Sequence, residues 1–72
     1  MPMTQEQLDN WFKYHKPEPG QPEKYEAIRA AGKAFAEVVV ANTPASADQT
    51  AAVRKIREAV MTANAAVACN GQ

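Results

Sequence analysis

From Pro22 to about Asn42 the residues Tyr25, Ile28, Gly32, Phe35 and Val39 recur at alternating steps of three and four. After Thr43-Pro44 the same spacing returns in Val53, Ile56, Val60, Ala63 and Val67, with Ala52, Ala59 and Ala66 alongside at intervals of seven. This period belongs to the α-helix, so each stretch predicts one long helix with one apolar stripe. Thr43-Pro44 stops the first, because the residue before a proline is driven out of the α region. Ser46, followed three residues later by Gln49, has the form of a capping box that starts the second, and Asn70-Gly71 marks its end. Two helices of this length joined by a short turn cover their stripes most simply as an antiparallel hairpin.

Ahead of the hairpin, Thr4 and Gln7 again have capping-box spacing, and Leu8, Trp11 and Phe12 follow at helical intervals. The stretch Pro17-Glu18-Pro19-Gly20-Gln21-Pro22 excludes regular helix, while Pro22 suits the first turn of the next one. The expected architecture is all-α, a single domain over residues 1–72. It comprises a short helix over about 5–13, a proline-rich connector over 14–21, and long helices over 22–42 and 46–70.

A chain of 72 residues lies at the lower edge of what one hydrophobic core sustains alone. Cys69 is the only cysteine, so no disulfide supplements the core, and His15 with Cys69 offers at most half of a structural zinc set. Self-association is the remaining remedy for so small a scaffold. Ala30, Ala31, Gly32, Ala34 and Ala36 make the first long helix slim enough for close approach of another backbone on a second face. Gly32 costs roughly 1 kcal/mol relative to Ala inside a helix, which points to a tight contact there.

Eight basic and eight acidic side chains balance to zero, leaving no broad positive field for polymeric nucleic acid. A small anion needs only two or three converging cations and is not excluded. No apolar run is long enough to span a bilayer, and the amino terminus is polar, so the expected location is cytosolic.

Catalysis finds little support. His15 is the only histidine, no nucleophile stands beside a base at a recognisable spacing, and the glycine-rich signatures of phosphate loops and dinucleotide folds are absent, so neither catalytic residues nor a cofactor are expected. The segment Trp11-Phe12-Lys13-Tyr14-His15-Lys16-Pro17 instead interleaves flat aromatic faces with cations, a mixture suited to a nucleobase and its phosphate. Trp11 and Phe12 are expected to pin the short helix against the hairpin. Tyr14 and His15, past that helix, divide between packing and ligand binding. Arg29 and Lys33 stand four apart on one helical face, either as a solvated patch balanced by Glu26 and Glu37 or as an anion site. Arg57 lies one step from Ile56 and so flanks a potential interface. Asn64, one step from Ala63 on the apolar stripe, is expected to have a specific partner or to set helix register.

Taken in order, Phe12-Lys13-Tyr14-His15-Lys16-Pro17, Tyr25-Glu26-Ala27-Ile28-Arg29 with Lys33, Pro44 at the turn, and Met61-Thr62-Ala63-Asn64-Ala65-Ala66-Val67-Ala68-Cys69-Asn70 resemble the small phage anti-CBASS sponge proteins. These soak up the cyclic oligonucleotide messengers of bacterial immunity. The resemblance implies a homohexamer of helical hairpins acting in the cytoplasm of the infected host. It implies that cyclic dinucleotides such as cGAMP sit between paired subunits and cyclic trinucleotides in separate pockets, captured without cleavage. Carried onto this chain, Tyr14 resembles the base-stacking aromatic and Lys33 or Arg29 the phosphate-facing cation, with His15, Arg57 and Asn70 as further ligand contacts. The alternative that the residues leave open is a helical adaptor or inhibitor, whose slim faces bind a host protein and no small molecule.

Overall fold

The Thr4 hydroxyl accepts from the Gln7 amide at 3.1 Å, and the Gln7 side chain accepts from the Thr4 amide at 3.0 Å. This reciprocal capping box starts α1, Gln5–Phe12, which ends where Lys13 turns extended. The computed structural model describes residues 3–71. Residues 14–18 carry no regular structure. The chain then turns at Glu18-Pro19-Gly20-Gln21, closed by the Gln21 amide donating to the Glu18 carbonyl at 3.0 Å. Gly20 holds φ 86° and ψ −16°. That is the third position of a type II turn, which glycine occupies without steric cost.

Helix α2 spans Gln21–Asn42, with Pro22 in its first turn, and α3 spans Ala47–Ala68. Their termini are satisfied by side chains. The Thr43 hydroxyl and Asn42 amide donate to the Val39 and Val38 carbonyls at 2.7 and 2.8 Å, closing the last turn of α2. Ser46 caps α3 by accepting from the Gln49 amide at 3.2 Å. The reciprocal half of the expected capping box is not formed. The Gln49 side chain crosses the turn and donates instead to the Val40 and Thr43 carbonyls at 3.3 and 3.2 Å. Carbonyls left open at the end of α2 draw its NH2 group there. At the far end, Gly71 donates to the Ala66 carbonyl at 2.9 Å and Asn70 to that of Val67 at 3.2 Å. Asn70 is left-handed at φ 54°. This is a Schellman closure with asparagine in the position glycine usually fills, and it ends α3 at Ala68.

The architecture is all-helical, and α2 and α3 form the antiparallel hairpin. They pack closely at Gly32, where an added methyl would overlap Val60 Cγ2 and lie 3.9 Å from Ile56 Cγ2. Ala favours the helix over Gly by about 1 kcal/mol, whereas overpacking costs about 1–3 kcal/mol. Gly32→Ala is therefore expected to lower the denaturation midpoint. The loss should shrink in a Val60→Ala background, where the blocking methyl is gone; a raised midpoint in the single variant would show that the helices are not pinned here.

None of the described residues is fully buried within a single chain. The chain exposes 5954 Å², where a compact monomer of 7.8 kDa exposes about 4,400 Å². Its radius of gyration is 15.3 Å, against about 11 Å for a compact domain of this length. Among the described residues only α2 and α3 make close backbone contact. Helix α1 makes no such backbone contact, and Phe12 does not pin it as expected: 84% of its surface is exposed, and Trp11 is 51% exposed. Both instead line an open groove of about 530 Å³ with Met61, Ala65 and Cys69 of the α3 region. No helix among the described residues is long and apolar enough to cross a membrane.

Candidate functional site

The stripes that close the hairpin leave its two flanks chemically unlike. On one flank Ile28, Ala31, Phe35, Ala52, Ala59 and Ala63 line a largely apolar groove of about 530 Å³, in which Lys55 is the one charged lining residue. On the other, Arg29 and Lys33 of α2 meet Arg57 of α3 around a groove of about 350 Å³, floored by Gly32, Ile56 and Val60. The helical period explains the division. Arg29 and Lys33 follow the stripe residues Ile28 and Gly32 by one step, as Arg57 follows Ile56, and one step turns the side chain by roughly 100° to the same flank. All three cations are exposed. Among the described residues none of them is held by an ion pair within 4.0 Å, so their charge is available to an anion.

Asn64 lines the same groove. Its Oδ1 is buried and has no hydrogen-bond partner among the described residues. The described residues thus supply no partner to this oxygen of the amide for which a specific partner was expected. An unsatisfied buried polar atom costs about 1–3 kcal/mol, a cost that a contact from outside the chain removes.

Tyr14 stands on the connector, 83% exposed, and lines neither groove. His15 beside it is half-buried; its Nε2 meets the Asn10 carbonyl, with Cys69 Sγ at 3.7 Å. A carbonyl only accepts, so Nε2 carries the proton, and the ring ties the end of α1 to the end of α3. Asn70 is exposed at the left-handed position that closes α3. The structure thus gathers Arg29, Lys33 and Arg57 and keeps Tyr14, His15 and Asn70 outside their groove. Gln21 went unnoticed in the sequence. It is half-buried, and its side-chain amide accepts from the Glu18 amide at 2.9 Å and donates to the Val67 carbonyl at 3.1 Å. A glutamine directly after Pro-Gly was its one visible signal.

A sequence model described as Acb2/Tad1, hairpin domain, matches residues 4–68, which takes in all three helices. The chain belongs to the Acb2/Tad1 hairpin family. This is the phage anti-CBASS sponge family, whose role is to bind cyclic nucleotides rather than to catalyse a reaction. No curated protein and no solved structure matches the chain.

Proposed function

We propose that this protein sequesters cyclic di- and trinucleotides, cGAMP among them, without cleaving them, and so keeps them from their effectors in the cytoplasm of the infected host. The observation that carries this reading is the convergence on one groove of three cations that no described residue pairs with, in a chain whose net charge is zero. Lys33 and Arg29 face the phosphates, with Arg57 completing the set. Tyr14 stacks on a base, contributing about 1–3 kcal/mol, and His15 and Asn70 are secondary contacts. Because Tyr14 lies outside the basic groove of its own chain, the aromatic and the cations of one site come from different subunits of a homo-oligomer, which we take to be a hexamer.

Calorimetry with a panel of cyclic di- and trinucleotides tests the function. Binding at micromolar concentration or tighter is expected, and ligand recovered from heat-denatured complex should be intact. Tyr14→Ala should weaken dinucleotide binding by about 10- to 100-fold while leaving particle size unchanged. The apolar groove would equally serve an adaptor that binds a host protein. Silent titrations, together with one stoichiometric host partner, would favour that reading.

A further inference from the structure

An aromatic side chain on an unstructured connector must be ordered before it can stack, and ordering it at the moment of binding subtracts from affinity. Tyr14 is such a side chain, yet the connector that follows it is held at two points. Directly after Tyr14, His15 Nε2 meets the Asn10 carbonyl and lies 3.7 Å from Cys69 Sγ. Where the connector enters α2, Gln21 makes three bonds. Its backbone amide donates to the Glu18 carbonyl, its Oε1 accepts from the Glu18 amide, and its Nε2 donates across 46 residues to the Val67 carbonyl. Both anchors end at the carboxyl end of α3, on Cys69 and Val67, where the Schellman closure satisfies the last carbonyls.

We propose that Gln21 is a positioning residue which, with His15, fixes the Tyr14 connector to the carboxyl end of α3 and presents the aromatic pre-organised for a cyclic nucleotide. The inference rests on the base-stacking role given to Tyr14 above. Only a carboxamide does both tasks at this position, because the oxygen that accepts from the Glu18 amide and the nitrogen that donates to the Val67 carbonyl are opposite ends of one group. A carboxylate keeps the first bond and loses the second.

The test measures cyclic dinucleotide affinity of the oligomer by calorimetry, together with amide hydrogen exchange over residues 13–20, in Gln21→Ala, Gln21→Glu, Tyr14→Ala and the Tyr14→Ala/Gln21→Ala pair. Both Gln21 variants should weaken binding by about five- to tenfold and speed exchange across the connector, with particle size unchanged. In the Tyr14→Ala background, Gln21→Ala should have no further effect on affinity, which a merely structural role would not predict. Should Gln21→Ala fail to fold, Gln21→Glu carries the same comparison. Wild-type affinity in the Gln21 variants, or a full additional loss in the double variant, overturns the positioning role and leaves the stacking role intact. Wild-type affinity in Tyr14→Ala overturns both, and unchanged exchange in the Gln21 variants overturns the anchoring itself.

Discussion

Phe35→Asp is expected to break the assembly into subunits that no longer unfold cooperatively. Phe35 is 59% exposed in the single chain and lines the apolar flank with Ile28, Ala31 and Ala59. If that flank is where subunits meet, truncating so large an anchor costs about 2–4 kcal/mol per contact, and a buried carboxylate adds its desolvation. The effect on folding follows from the absence of any fully buried residue in one chain. The area exposed beyond that of a compact monomer is roughly 1,500 Å², about what a subunit contributes to two interfaces of ordinary size. Sedimentation would read the fall in mass, and thermal scans of the unmodified protein should show a melting temperature that rises with concentration. A Phe35→Asp protein of unchanged mass and melting temperature would mean that subunits do not meet on this flank.

Lys33→Glu is expected to reduce cyclic dinucleotide affinity by at least about 100-fold, since it removes a charge-assisted contact and puts a like charge beside the phosphate. Arg54→Glu makes the same change in net charge at an exposed site that does not line the basic groove. It should leave affinity within about twofold, the difference being the weak, screened pull of a distant charge. Calorimetry on the two variants separates a local phosphate contact from a general electrostatic field. Equal losses in both would remove Lys33 from the site.

Much of the helical plan was legible in the residues themselves. The three-four spacing of apolar positions reports a helix wherever it occurs, and the Thr4 and Gln7 pairing predicts a cap that forms as written. Gly32 was legible through its cost, because a glycine inside a slim helix asks for a close neighbour, and Val60 is that neighbour. Gln49 shows where such reasoning stops. Its position implied a bond back to Ser46, but the open carbonyls of α2 lay within reach only after the hairpin closed. Phe12 failed in the opposite sense. Its hydrophobicity implied burial against the hairpin, and the eight-residue α1 leaves it exposed instead.

The candidate site divides along the same line. Arg29 and Lys33 could be paired from their spacing alone, since one helical turn sets their separation. That Arg57 joins them, that Asn64 lies beside all three with an unsatisfied oxygen, and that Gln21 reaches Val67 are relations between distant parts of the chain. By itself the sequence determined the helices, their apolar stripes and the family, because periodicity and motif order are properties of neighbouring residues. Only the tertiary structure decided which flank is basic, what anchors the connector and how much apolar surface one chain leaves uncovered. Those depend on how two helices are rotated and packed against each other, and no local pattern encodes that angle.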